Sequence, residues 1–166
     1  MSERNRNRDE YVERFWEQAL KETGKTFQKQ TDALQNKRST LLSLIRYHFI
    51  VFGFAITLFT TGIVEEEPYA ALFLSAVCIM SIFMVSLTIH IHNNTGIYYT
   101  GLKLREYEMI VESKDNYHNS LKELASEQMN MTDKNRKGMV KCNKYIYFNW
   151  LVLFLGIGVI VGLILP

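Results

Sequence analysis

The residue types that most often carry chemistry in proteins are spread along this 166-residue chain rather than clustered. Its four histidines include no pair at positions i and i+4, and none stands with carboxylates as a zinc site requires. Cys78 and Cys142 suit neither a metal site nor a disulfide framework. No serine or cysteine lies in a recognisable nucleophile motif. The sequence therefore predicts that the protein is not an enzyme and holds no metal or cofactor.

Side chains suited to binding an anion are concentrated between residues 92 and 144. Aromatic rings stack on nucleobases and basic side chains contact phosphates, so this mixture indicates a cytosolic nucleotide or oligonucleotide as ligand. The alternative is that the cations only mark the cytosolic face of a membrane, or bind anionic headgroups. The candidate ligand-binding residues are Lys103, Arg105, Tyr107, Lys134, Arg136, Lys137 and Lys141.

Small and polar residues form helical stripes inside three long apolar segments. Hydroxyl groups without neighbouring acids can border a water-filled path, but three helices cannot enclose one, so this interpretation requires a homo-oligomeric ring. The alternative is that the stripes pack helices against one another. The candidate pore-lining residues are Ser43, Arg46, Gly53, Thr57 and Thr60 in the first segment and Ser81, Thr88 and His92 in the second. In the third segment, Gly158 and Gly162 stand four residues apart and predict packing.

The three apolar segments, residues 41–64, 69–91 and 145–166, must position these side chains. Each is long enough to cross a hydrocarbon core of about 30 Å as a helix with a rise of about 1.5 Å per residue. A helix also satisfies every backbone N–H and C=O group within the segment, as lipid demands. The sequence therefore predicts an all-α integral membrane protein with three transmembrane helices and a cytosolic helical region.

The positions of the 19 lysine and arginine residues predict an orientation. Nine precede the first segment, nine lie between the second and the third, and only Arg46 lies inside a segment. The connection at residues 65–68 reads Glu-Glu-Glu-Pro and carries no cation. Because basic residues accumulate on the cytosolic side, we expect a multi-pass protein of the cell's inner (plasma) membrane. Its N-terminus is expected in the cytosol and its C-terminus outside.

The cytosolic part is long enough to fold. Apolar residues at seven-residue spacing predict an amphipathic helix over residues 1–40 that packs on another helix, with an interfacial helix lying on lipid as the alternative. After a polar break, residues 92–144 are expected to form a cytosolic helical hairpin with helical stretches at 102–114 and 121–131. The seven-residue series is Leu20, Phe27, Leu34 and Leu41.

The first two spans are expected to form a transmembrane hairpin over residues 41–91, joined by the acidic connection. This arrangement, carried by residues 38–64, the turn at 65–68 and the second span to His92, resembles the membrane effectors of prokaryotic antiviral systems, with the SLATT-type two-span proteins as the nearest comparison. The resemblance implies an oligomer that opens or disrupts the inner membrane when it binds a nucleotide or oligonucleotide signal made by a partner enzyme. The third span departs from that family, so no functional residue is carried over from it.

Together these observations predict a homo-oligomeric, lipid-embedded channel or pore-forming effector. It would be gated through its cytosolic helices by an anionic signal in antiviral defence. The alternative is a membrane-anchored scaffold or sensor that recruits a cytosolic partner without conducting.

Overall fold

The computed structural model describes residues 3–60, 68–98 and 117–165, and these residues form three α-helices and no strand. Helix α1 spans Glu3–Thr60, α2 spans Pro68–Asn94 and α3 spans Tyr117–Ile164. All three are long and apolar enough, by length and composition, to cross a membrane. The predicted all-α class and the presence of three such helices are therefore confirmed.

Two of the helices extend far beyond the predicted spans. The predicted amphipathic helix over 1–40 and the first span form one continuous helix as far as Thr60. The predicted stretch at 121–131 likewise continues without interruption through the basic residues into the third span. The predicted helical stretch at 102–114 lies outside the described residues.

The chain divides into two compact units. The polar unit comprises Met1–Leu34 and Ile97–Gly138, and the apolar unit comprises Gln35–Gly96 and Met139–Pro166. Helices α1 and α3 contribute to both units, whereas α2 belongs to the apolar unit alone.

The apolar unit packs along one stripe of each helix. On α2 the buried positions alternate steps of three and four residues, the 3.5-residue period of left-handed helix packing. They are Ala70, Leu74, Val77, Ser81, Met84, Thr88 and Ile91. Large apolar side chains such as Phe49, Ile82 and Phe154 are exposed on the outside of the same unit. A helical unit that is apolar on its surface as well as inside has the composition of a membrane span.

The polar unit is held by a shorter apolar stripe. Phe27 and Leu34 of α1 and Leu121 and Ala125 of α3 are buried within it. Phe27 and Leu34 belong to the seven-residue series seen in the sequence, and Leu41 continues that series as a buried residue of the apolar unit. The packing role expected for this series is therefore confirmed at these three positions.

Candidate functional site

A polar cluster lies inside the apolar unit, where one side chain from each helix meets the others. His48 of α1 places its Nε2 atom 3.0 Å from Oδ1 of Asn149 of α3. Thr88 of α2 donates its hydroxyl to the same oxygen at 3.1 Å. None of the three side chains is more than 1% exposed. Because a buried polar group is costly unless it is paired, this cluster ties the three helices together at one level.

The Asn149 amide has one orientation that satisfies its surroundings. Its Nδ2 atom donates to the backbone oxygen of Tyr145, four residues earlier, at 2.8 Å. The amide oxygen therefore faces His48 and Thr88, and its two lone pairs are both used. His48 must carry a proton on Nε2, since Oδ1 can only accept.

A crevice of about 170 Å³ lies beside this cluster and is lined by residues from all three helices of the apolar unit. His48 and Ser81 are its polar lining residues, and the remainder of the lining is apolar. Ser81 is 4% exposed as a whole residue, and no hydrogen bond joins its hydroxyl to another described residue. Phe73, Met80 and Leu155 line the crevice and are exposed, so the crevice opens at the outer surface of the unit.

The pore-lining candidates of α1 lie on its outer face. Ser43, Arg46, Gly53, Thr57 and Thr60 are all exposed. The first four sit two residues after buried positions of the same helix, and at about 100° per residue this offset places them on the opposite side. We call these five residues the α1 outer stripe.

The hydroxyl groups of the α1 outer stripe are satisfied within their own helix. Ser43 donates to the backbone oxygen of Ser39 at 3.1 Å and Thr57 to that of Gly53 at 2.9 Å. Thr60 donates to the backbone oxygen of Thr57 at 2.7 Å. Each hydroxyl oxygen keeps lone pairs for a second partner, so the stripe can face either another helix or water.

The candidates of α2 have different surroundings. Ser81 and Thr88 are buried inside the apolar unit, and the Thr88 hydroxyl donates a hydrogen bond within the polar cluster. His92 is half-buried near the end of α2, and its backbone oxygen accepts a hydrogen bond from Nη2 of Arg38 at 3.2 Å. A guanidinium at this position caps the carboxyl end of α2, where the helix dipole favours a cation. The pore-lining candidates of the two helices therefore do not share a surface.

The glycines of α3 also separate into two groups. A Cβ atom on Gly156 would lie 3.3 Å from Cγ1 of Val51 and 3.6 Å from Cγ1 of Val77, so Gly156 is the position where α3 approaches its neighbours closely. The predicted packing residues Gly158 and Gly162 are exposed, and no described residue lies within 4 Å of a Cβ atom at either. Neither glycine therefore packs against α1 or α2 as the structure describes them.

Three of the ligand-binding candidates, Lys103, Arg105 and Tyr107, lie outside the described residues. The other four are exposed on α3, with Lys134, Arg136 and Lys137 in the polar unit and Lys141 in the apolar unit. Within the polar unit, Nζ of Lys134 lies 5.2 Å from the centroid of the Tyr98 ring, which is the range of a cation–π contact.

Asn135 anchors the segment that carries Tyr98. Its Oδ1 atom accepts from the Tyr98 backbone N–H at 2.9 Å, and its Nδ2 atom donates to the Tyr98 backbone oxygen at 2.9 Å. The same Nδ2 atom donates to the Thr31 hydroxyl at 3.1 Å. Asn135 is fully buried, so one side chain joins α1, α3 and the chain that follows α2 within the polar unit.

Sequence reasoning did not identify His48, Asn135 or Asn149 as site residues, although the spacing signal was present. His48 follows Leu41 by seven residues and so continues the buried series of α1. Asn135, Cys142 and Asn149 are also seven residues apart, and all three are fully buried on α3. A polar residue at a core position of a seven-residue repeat must find a buried partner, and these positions therefore predict cross-helix hydrogen bonds.

The described residues bring together no group of three or more histidine, cysteine, aspartate or glutamate side chains that would hold a metal ion. The chain was also compared with protein-family models, with curated proteins and with solved structures, and none of them matches it.

Proposed function

We propose that the chain is a three-span protein of the inner membrane that assembles into a homo-oligomeric channel, with the α1 outer stripe facing the conduit. Its N-terminus and polar unit face the cytosol and its C-terminus lies outside. The polar unit receives the signal that opens the channel. On its architectural resemblance, the biological setting is prokaryotic antiviral defence, and a partner enzyme supplies the signal.

The charges of the apolar unit support this orientation. Helices α1 and α3 run parallel there, because His48 contacts Asn149 and, further along both helices, Val51 contacts Gly156. The cations at the start of each helix segment therefore lie at one end of the unit. They are Lys37, Arg38, Lys141 and Lys144, and the described residues of the unit include no aspartate or glutamate. Basic residues at one end of an apolar unit are typical of the cytosolic end.

The α1 outer stripe is the observation that carries the channel proposal. Arg46 is exposed on it and has no ion-pair partner among the described residues. An arginine within a membrane helix is costly when it faces hydrocarbon, although at Arg46, five residues after the span begins, the side chain can also reach the cytosolic headgroups and mark the boundary of the span. The interior of the unit is filled by Leu41, Leu44, Leu74 and Met84, so the described residues of one chain leave no water path between the helices. In a ring of copies the stripe faces a central water-filled path instead of hydrocarbon.

The exposed cations of the polar unit support gating by an anionic ligand. Lys134 and Lys137 are three residues apart on α3, so they share one face of that helix. Neither has an ion-pair partner among the described residues, which leaves both ammonium groups able to contact phosphate oxygens.

Purified protein in liposomes tests the channel proposal directly. We expect an oligomeric mass in detergent and ion flux after reconstitution, with the flux rising when ATP or a short oligoadenylate is added. Thr57→Trp should reduce the flux without changing the mass, because it narrows the conduit. Ile82→Trp, on an exposed face of α2, is the matched control and should leave the flux unchanged. A monomer without flux would refute the proposal.

A scaffold is the second candidate, favoured by one specific feature of the polar unit. Tyr11 and Phe15 of α1 are 72% and 55% exposed, and Phe15 stacks edge-on against Trp16 with the ring centroids 5.3 Å apart. Exposed aromatic side chains are common anchors for a protein partner. Loss of partner capture in Tyr11→Ala/Phe15→Ala, in a protein that carries no ion flux, would favour the scaffold over the channel.

A further inference from the structure

We propose that the crevice between the helices of the apolar unit is a binding site for a small phenol or alcohol that partitions into membranes. The ligand has an apolar body about the size of one six-membered ring and one hydroxyl group. The Ser81 hydroxyl is its hydrogen-bond partner. This site is independent of conduction, although its access from lipid rests on the proposed membrane placement.

The volume of the crevice sets the size of the ligand. It measures about 170 Å³. A protein cavity of about 150 Å³ with an apolar lining stays dry and accepts benzene. The lining here is built largely from small and aliphatic side chains such as Ala76, Val77 and Val152. A single ring fits this space.

Ser81 sets the chemistry of the ligand. Ser81 is 4% exposed as a whole residue and lines the crevice, and no hydrogen bond joins its hydroxyl to another described residue. A hydroxyl that lines an apolar crevice without a partner gains a hydrogen bond when a bound hydroxyl group meets it. The neighbouring polar cluster offers the ligand no acceptor at Asn149 Oδ1, because both lone pairs of that oxygen are already used by His48 and Thr88.

The position of the crevice sets the route of entry. Its lining lies near the middle of each predicted span, at His48 and Val51 of α1 and at residues 73–81 of α2 and 152–159 of α3. Its mouth is bordered by the exposed side chains of Phe73, Met80 and Leu155. A molecule that enters here must first dissolve in the hydrocarbon, which selects for a largely apolar body.

An acyl chain of a neighbouring lipid is the competing occupant. It fits the apolar lining but has no hydroxyl for Ser81, so it makes no hydrogen bond in the crevice. Two ligands that differ only by a hydroxyl group therefore distinguish the two occupants.

The test is a comparison of p-cresol with toluene on the full-length protein in nanodiscs, with binding followed by ligand-observed NMR and by the shift in Tm. We expect p-cresol to bind about fivefold more tightly than toluene, the effect of one hydrogen bond. Ser81→Ala should remove this difference and leave toluene binding unchanged. Ala76→Phe should abolish binding of both ligands by filling the crevice.

Ile79→Phe is the matched control, because Ile79 is exposed on the same helix and does not line the crevice. It should leave both affinities unchanged. Equal binding of p-cresol and toluene by the unsubstituted protein would overturn the proposal and assign the crevice to acyl chains. Binding that survives Ala76→Phe would overturn it as well, since the ligands would then lie elsewhere.

Discussion

The Nε2 atom of His48 lies 3.0 Å from Oδ1 of Asn149, and this contact joins α1 to α3 across 101 residues of sequence. Thr88 brings α2 to the same oxygen. Three helices that present apolar surfaces can slide along one another at little cost, whereas a shared polar contact permits one register. The cluster therefore specifies how the apolar unit assembles, in addition to any stability that it supplies.

Substitutions of Thr88 and of Asn149 are expected to lower the stability of the apolar unit by unequal amounts. Thr88→Val removes one donor and leaves the His48 bond intact, so we expect a loss of about 0.6 to 1 kcal/mol, the usual value for a hydrogen bond between membrane helices. Asn149→Val leaves both His48 and Thr88 without a partner in the interior, so the loss should be at least twice as large. Unfolding by denaturant in mixed micelles measures both.

Ile82→Val is the control for this comparison, since Ile82 lies on the outer surface and the change should have little effect. An Asn149→Val protein as stable as Thr88→Val would contradict the shared role of the amide oxygen.

The glycines of α3 are expected to have two different roles. Gly156 should affect the folding of the apolar unit, whereas Gly158 and Gly162 should affect the assembly of copies. Gly156→Leu would drive a side chain into Val51 and Val77, so the apolar unit itself should be destabilised. Gly158→Leu and Gly162→Leu meet no described residue of the chain and should leave its melting temperature unchanged. If these two residues pack between copies, both substitutions should lower the oligomeric mass. An unchanged mass on a native gel would refute their role in assembly.

An element of this fold can be predicted from the sequence when its pattern is a property of a single helix. Long apolar segments and seven-residue spacing are properties of a single helix, so the three helices and the buried series through Phe27, Leu34 and Leu41 could be recognised without a structure. Continuity was harder to predict, because polar residues between 131 and 144 resemble a turn in composition while their helical propensity stays adequate. Helix α3 runs through them.

The candidate site was predicted less well, because a stripe of small polar residues looks the same whether it faces a partner helix or water. Thr57 and Thr88 both lie on such stripes, yet Thr57 is exposed and Thr88 is fully buried. The two residues differ because the packing stripe of α2 includes Thr88, whereas the packing stripe of α1 lies on the opposite side of the helix from Thr57. On α1 the direction of the packing stripe follows from the buried series that continues through His48 to Ala55, whereas on α2 Ser81 and Thr88 themselves belong to the buried stripe.

The contacts of Asn135 are expected to protect the backbone amide of Tyr98 from hydrogen exchange. The Asn135 side chain binds both the N–H and the C=O groups of Tyr98, so Asn135→Ala should speed the hydrogen exchange of the Tyr98 amide by at least tenfold while the amides of α3 change little. Exchange followed by mass spectrometry measures this effect. Asn130→Ala is the matched control, because Asn130 is exposed on the same helix. Equal exchange in both variants would show that the Asn135 contacts do not hold this segment.

Arg46 predicts the ion preference of the proposed channel. It is the one charged residue of the α1 outer stripe, and a ring of copies would repeat its guanidinium around the conduit. Rings of arginine or lysine favour anions, and their field is stronger within a span than at a solvated mouth. In a KCl gradient the reversal potential should lie towards the chloride equilibrium potential, Arg46→Gln should reduce this preference, and Arg46→Glu should reverse it.

Lys37→Gln provides the control for Arg46, since Lys37 belongs to α1 but precedes the stripe and should leave the reversal potential unchanged. The acidic connection at residues 65–67 is the competing source of selectivity, because carboxylates at the outer mouth would favour cations. A channel that prefers potassium, and loses that preference when Glu65, Glu66 and Glu67 are replaced by glutamine, would contradict the role assigned to Arg46. Conductance itself would still stand in that case, so ion selectivity and channel formation are tested separately.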